Sequence, residues 1–146
     1  MGTPYEKDIV AWAMEQAALL RAGKLSAIDI EHIAEEIEDV ARSERRELGR
    51  RASTLLAHLL RWQHQPGRRC SSWASLIKVQ RKALARVLRA TPSLSASLSD
   101  PDWLEGTWDD AVGKAIEETG LDDFPESCPW SMDQVLSVEF LPGSPI

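Results

Sequence analysis

Apolar residues recur every three to four positions along most of this chain. That is the spacing of one face of an α-helix, and no stretch alternates as a half-buried strand would. The first period is Tyr5, Ile9, Trp12, Gln16, Leu19 and Leu20. Thr3-Pro4-Tyr5-Glu6 has the form of a capping box with proline in the first turn, and Gly23 offers a left-handed stop, so a first helix is predicted over about residues 4–22. Ser26 opens a second helix with Asp29 in its first turn. Its stripe runs Ile30, Ile33, Ile37, Val40, Leu48, Ala52, Leu55, Leu59 and Trp62 and stays in phase throughout. One helix to about residue 64 would be ~57 Å long at ~1.5 Å per residue. A compact chain of this length has a radius of gyration of only ~15 Å. The helix must therefore bend near Gly49 or protrude, and the unbroken phase favours a continuous or gently bent rod.

Gln65-Pro66-Gly67 then breaks the chain. Ser71 or Ser72 caps a third helix with the stripe Trp73, Leu76, Ile77, Gln80, Leu84, Val87 and Leu88, which ends at Thr91-Pro92 ahead of a short turn through Leu94 and Leu98. Asp100-Pro101 caps a fourth, with Leu104, Trp108, Ala111 and Ala115 inward and Gly120 as its stop. Ser131-Met132-Asp133-Gln134 is a capping box for a short last helix through about Val138. The pattern predicts an all-α protein: four principal helices in a bundle around a long second helix, with a packed C-terminal segment and a short last helix. It predicts a single domain over 1–146, with residues 143–146 frayed.

Composition changes this picture in one respect. Residues 42–89 carry eleven Arg and two Lys against Glu44 and Glu47, a net of +11. Residues 1–41 carry three basic and nine acidic side chains, a net of −6, and residues 90–146 carry Lys114 against twelve acids, a net of −11. The formal total of −6 hides a basic centre between acidic flanks. Such zoning is resolved inside the fold, flank against centre, or outside it by an anionic partner. The expected internal solution sets Asp109, Asp110, Glu117 and Glu118 against part of the arginine-rich centre. No apolar run is long enough to span a bilayer, and no membrane association is expected. Cys70 and Cys128 lie far apart and outside any CxxC pair, which suits a reduced cytoplasmic protein with incidental thiols.

Polar residues on apolar stripes supply the candidate pocket. Gln16, Glu44 and Gln80 fall on the hydrophobic faces of their helices, and a buried carboxylate or amide must find partners. Antiparallel pairing across the loop at 23–26 sets Tyr5 beside Glu44, so a buried, hydrogen-bonded Glu44 is expected. Pairing across 65–71 sets Gln80 near His58. Register-fixing hydrogen bonds are the plainer account of Tyr5, Gln16, Glu44, His58 and Gln80; a binding pocket is the sharper one. Asp29, His32 and Glu36 share one helical face. They lack a second carboxylate-x-x-His copy, and His58 lies ~33 Å from Glu36 along a continuous helix, so no metal site and no cofactor are expected. His58 as a base with Glu44 as an acid is the one enzymatic reading, and no catalytic residue is assigned, because no nucleophile elbow, phosphate loop or HExxH accompanies them.

The basic centre is the stronger candidate for a partner or anion surface. Arg45, Arg46 and Arg50 crowd the second helix, with Arg68 and Arg69 in the following loop. Lys78, Arg81 and Lys82 are placed mainly on the outer face of the third. Trp62 and Trp73 flank the Arg68-Arg69 loop, where they suit stacking or cation–π contact, although packing on each other or on Trp130 is the plainer role. A pI near 5.1 argues against a dedicated nucleic-acid binder.

Several blocks along this chain carry a resemblance. They are Glu35-Glu36-Ile37-Glu38, His58-Leu59-Leu60-Arg61-Trp62-Gln63, Pro66, Ser72-Trp73, Gln80-Arg81, Pro92-Ser93-Leu94 and Glu118-Thr119-Gly120-Leu121, followed by Phe124-Pro125 and Cys128-Pro129-Trp130. In this order they resemble the bacterial domain-of-unknown-function family numbered twenty-nine, over roughly residues 5–141. The resemblance implies a small all-helical bacterial protein and no particular activity. Three functions stay open: an interaction or regulatory module for a protein partner, homo-oligomers included; binding of nucleic acid or another anion through residues 42–89; and an enzyme using His58 and Glu44.

Overall fold

In the computed structural model, which describes residues 2–143, the regular structure is all helical, with no strand among the described residues. The elements are α1 (Ile9–Arg21), α2 (Ile30–His64), α3 (Ser71–Ala90), α4 (Pro101–Thr119) and α5 (Met132–Leu136), with 3₁₀ turns at Leu25–Ala27, Pro66–Arg68 and Pro92–Ser99. They form two compact units, residues 1–43 and 44–146, joined through α2. None of the helices is long and apolar enough to cross a membrane.

The 35 residues of α2 pass through Gly49 without a break, a length of ~52 Å. Its second half is the axis of the unit at 44–146. Leu48, Ala52, Leu55, Leu56, Leu59 and Leu60 are all buried there, on more than one side of the helix. They join Ile77 and Leu84 of α3, Leu94 of the Pro92–Ser99 turn, the α4 residues Trp108, Ala111 and Ala115, and Val135 of α5 in one core. Each fully buried leucine contributes about 1.5–3 kcal/mol, so this half of α2 holds the unit together. Asp100 caps α4 through the Asp102 amide, and Gly120 ends it at φ 75°, a left-handed conformation that glycine adopts without strain. The Ser131–Gln134 capping box forms as predicted, though α5 stops at Leu136, short of Val138.

Three expected starts differ. Helix α1 begins at Ile9, capped by Asp8, which accepts the Ala11 amide. Thr3 is not its cap: its amide and hydroxyl donate instead to the Glu15 carboxylate at 2.6 and 2.8 Å. That carboxylate takes both of Thr3's donors and folds the N-terminal strand of chain back along α1. Ser26 lies inside the Leu25–Ala27 3₁₀ turn and starts no helix, and Asp29 caps α2 by accepting the His32 amide. Cys70, not a serine, precedes α3, with no side-chain cap. Of the end expected to fray, 144–146 lie outside the described residues.

Arg81 corrects the sequence reading most sharply. It is 3% exposed, not on the outer face of α3. Its phase explains this, since it lies one turn from both Ile77 and Leu84 on the buried side. The guanidinium donates from Nε to the Val135 carbonyl at 2.8 Å and from Nη2 to the Phe140 carbonyl, and it lies 6.0 Å from the centre of the Phe140 ring. It thereby fastens α5 and the segment after it to α3. Replacing Arg81 with Met should cost about 2–3 kcal/mol, because two carbonyls that accept from a buried charge lose their donor. Urea unfolding should show a lower midpoint at an unchanged slope; a loss under about 0.5 kcal/mol would remove Arg81 from this role.

Candidate functional site

Within residues 1–43, α1 and the start of α2 form an antiparallel hairpin. Asp29 is its pivot. The Gln16 side chain accepts the Asp29 amide at 2.7 Å, and the Asp29 carboxylate accepts the Trp12 indole N–H at 3.1 Å. Asp29 also meets His32 Nδ1 at 2.7 Å. Tyr5 lies flat on the His32 ring, centroids 4.1 Å apart, edge-on to Trp12, and donates its hydroxyl to Glu36. Glu6 approaches the other His32 nitrogen at 3.5 Å.

This cluster corrects the pairing of Tyr5 with Glu44. The connection at 22–29 carries the chain back past the last turns of α1, so α2 begins opposite Gln16 instead of opposite Arg21. Every facing position shifts by about two turns, and Tyr5 reaches Glu36. Glu44 is exposed, contrary to its expected burial. Gln16, by contrast, is buried and hydrogen-bonded, as its place on the stripe required. Asp29, His32 and Glu36 share one polar face of α2, and that face is where α1 and Tyr5 pack. No group of three or more His, Cys, Asp or Glu side chains that could hold a metal occurs among the described residues.

The helix α1 has docked on the polar side of α2, and this leaves apolar surface bare. At ~100° per residue, Ile30, Ile33, Ile37 and Val40 lie about 100° around α2 from His32 and Glu36. On α1, Ile9, Val10, Met14 and Leu20 lie about 100° around from Trp12 and Gln16, in the same sense. Because the helices run antiparallel, both apolar faces point to the same side of the hairpin. Val10, Met14, Ile30, Ile37 and Val40 are each 64–71% exposed.

The unit at 44–146 holds the other sequence candidates. His58 is half-buried, and burial pushes its pKa below the usual 6.5, opposed by Glu118 and reinforced by Arg61 and Lys114. His58 and Glu44 stand fourteen residues apart on unbroken α2, ~21 Å, so the structure does not bring this acid–base pair together. Gln80 lies beside Arg51 and Thr54, about a turn from the expected His58, at a cavity of about 130 Å³. Trp62 and Trp73 stack neither on each other nor on Trp130. Arg69 lies over Trp62 at 5.2 Å and donates to its carbonyl, Arg61 lies over Trp73 at 4.5 Å, and Trp130 meets Trp108 edge-on.

The charged zones meet in part. Arg61 pairs with Glu118 at 3.1 Å, while Arg50 and Arg51 both pair with Glu47 on their own helix. A cleft of about 720 Å³ has Arg45, Arg46 and Arg50 on the α2 side and Asp109, Asp110 and Glu117 on the α4 side. These acids form no ion pair within 4.0 Å among the described residues. Lys114, the sole base of the last third, crosses to α2 and bonds the Ser53 and Thr54 hydroxyls at 2.8 and 3.0 Å. Sequence reasoning missed Lys114, whose isolation among acids was the signal. Arg68, Lys78 and Lys82 are exposed as expected.

The hairpin's electrostatics can be measured directly. Tyr5 is the chain's one tyrosine, and donation to the Glu36 carboxylate pushes its pKa up to about 12. Its ultraviolet titration should therefore be displaced upward from ~10 and return toward it in Glu36→Gln. Ionisation near 10 in the wild type would break the Tyr5–Glu36 pair. The His32 pKa is raised by its bond to Asp29, and the Asp29 pKa is lowered by the same bond. The contact steadies the hairpin between those two titrations. It weakens as pH falls through the depressed Asp29 value or rises through the raised His32 value. Proton NMR of the three histidines should give His32 above 6.5, and His58 and His64 below it because burial disfavours their charged forms. In Asp29→Asn only the His32 midpoint should fall; a His32 midpoint unmoved by that change would contradict the contact.

Residues 4–141, nearly the whole chain, match the family model described as domain of unknown function DUF29. Neither a curated protein nor a solved structure matches the chain. The hairpin, the long α2, the α3–α4 core and the Arg81-anchored tail all fall within the matched span, and the chain belongs to the DUF29 family.

Proposed function

We propose that this protein is a small interaction module and that its N-terminal hairpin is the docking element. The observation that carries the reading is the shared apolar side of α1 and α2. Soluble monomers rarely leave contiguous apolar patches beyond a few hundred Å² uncovered, and such patches mark interaction sites. Here Val10, Met14, Ile37 and Val40 are more than three-fifths exposed while only Trp12 and Gln16 of α1 are buried. Cytoplasmic residence in a bacterium is part of this reading. It rests on two unpaired cysteines, one of them exposed, which suit a reducing compartment.

A second reading has its own observation. The outer face of α3 carries Lys78, Lys82, Arg86 and Arg89, all exposed and none in an ion pair within 4.0 Å among the described residues. Such a row attracts phosphates. The net charge of −6 opposes it. Labelled duplex and single-stranded nucleic acid, titrated at low and moderate salt, decide: tight binding that weakens steeply with salt promotes this reading, and no binding at low salt removes it.

The docking reading is tested with Met14→Glu and Ile37→Glu. Both side chains face solvent, so each variant should keep its helical circular dichroism and its stability to within about 0.5 kcal/mol. Each should lose association with whatever partner the wild type captures, its own copies included. Full association by both variants would overturn the reading.

A further inference from the structure

We propose that the pocket between the first half of α4 and residues 126–132 binds a small organic cation, an apolar body that carries an ammonium head. The pocket lies wholly within the unit at 44–146 and shares no residue with the hairpin. Two features of its lining select such a ligand: an apolar cavity shaped in advance, and free charge of one sign.

The cavity comes first. Pro101, Leu104, Glu105 and Trp108 recur at i, i+3, i+4 and i+7, so they share one face of α4. The chain after Gly120 forms no helix until Met132 and passes this face without sealing it. Leu56 and Leu98 extend the apolar lining around a volume of about 710 Å³. That falls within the ~300–1,000 Å³ of small-molecule sites. The wall is held in place. The Trp108 indole donates to the Pro125 carbonyl at 3.0 Å, the Cys128 thiol donates to the Trp130 carbonyl at 3.3 Å, and the Ser131–Gln134 capping box fixes the turn that follows. A cavity shaped in advance loses little to ordering when it is filled.

Charge comes second. Glu105 of α4 and Glu126 of the C-terminal segment both line the pocket, and no lysine, arginine or histidine does. Both carboxylates are exposed, and neither enters an ion pair or a side-chain hydrogen bond among the described residues. The bonds that hold the wall engage the Trp108 N–H, the Cys128 thiol and the Ser131 hydroxyl, so these donors serve the chain's own acceptors and not a bound anion. Trp108 and Trp130 stand edge-on with centroids 5.9 Å apart, and indole faces attract cations. An ammonium head therefore meets two unpaired carboxylates here, whereas an anionic head on the same body meets two like charges. The apolar body gains by leaving water for the leucine and tryptophan lining.

Protein-observed NMR titration of the full chain tests this, with phenethylamine and, separately, with hydrocinnamate. The two probes share an apolar body and differ in the sign of the head. Phenethylamine should bind at least about fivefold more tightly than hydrocinnamate, with its largest shifts at residues 126–132 and at the Trp130 indole. Glu105→Gln with Glu126→Gln replaces two exposed side chains and should leave the fold intact. It should weaken phenethylamine binding about fivefold and erase the preference for the amine. No shift in this pocket with millimolar phenethylamine overturns the site. Equal binding of the two probes by the wild type, or undiminished binding of the amine by the double variant, overturns the cation assignment.

Discussion

The structure of residues 1–43 follows from which side of α2 receives α1, and one carboxylate decides it. Asp29 caps α2, accepts the Trp12 indole, meets His32, and offers its own amide to Gln16. An ionised group with several such demands can be satisfied in few orientations, and charge-assisted hydrogen bonds are the stronger ones. Docking α1 by its apolar residues onto Ile30, Ile33 and Ile37 would bury more hydrocarbon but leave Asp29, Glu36 and the indole to water. The hairpin instead closes over its polar side. The apolar surface is what remains, and the interaction reading depends on it.

The same stripe meets the opposite fate later in α2. From Leu48 onward it is sealed by α3, α4 and α5. Gly49 belongs to this change: a Cβ there would sit 3.4 Å from Thr107 Oγ1 and from the Trp103 indole nitrogen, which donates to the Arg45 carbonyl. The residue that looks like a helix breaker marks where α4 comes close. One helix thus carries a continuous pattern that is core in one half and surface in the other.

Most of the fold was legible because its signals are local. Asp100-Pro101, Gly120 and Ser131 act through neighbouring amides, and each cap formed where its sequence places it. The stripe of α2 gave its continuity for the same reason. What the sequence hid depends on distant groups. Thr3 has every local mark of a cap, yet Glu15, twelve residues on, accepts the Thr3 amide that Glu6 would take in a capping box, and the Thr3 hydroxyl with it. Glu44 holds a core phase but lies before the point at which that face acquires a neighbour. Arg81 also holds a core phase, and there the phase was right and its charge misleading, since two carbonyls of the C-terminal segment solvate it. Of the candidate pocket, Tyr5 and Gln16 came together around an aspartate that neither names, while His58 and Gln80 stayed apart. Periodicity tells which face of a helix is apolar; it does not tell whether anything in the same chain covers it.

The anchoring of Arg81 bears on the order in which the protein can be made. Its two acceptors, the carbonyls of Val135 and Phe140, lie 54 and 59 residues downstream. While the chain emerges from the ribosome, α2 and α3 are complete long before those acceptors exist. Throughout that interval a guanidinium sits in the middle of the face that must become core, and water is its only solvent. The leucine-rich half of α2 therefore cannot be sealed against α3 without stranding a charge. The segment that carries the Val135 and Phe140 carbonyls is therefore part of what makes that burial possible, although it adds few leucines of its own.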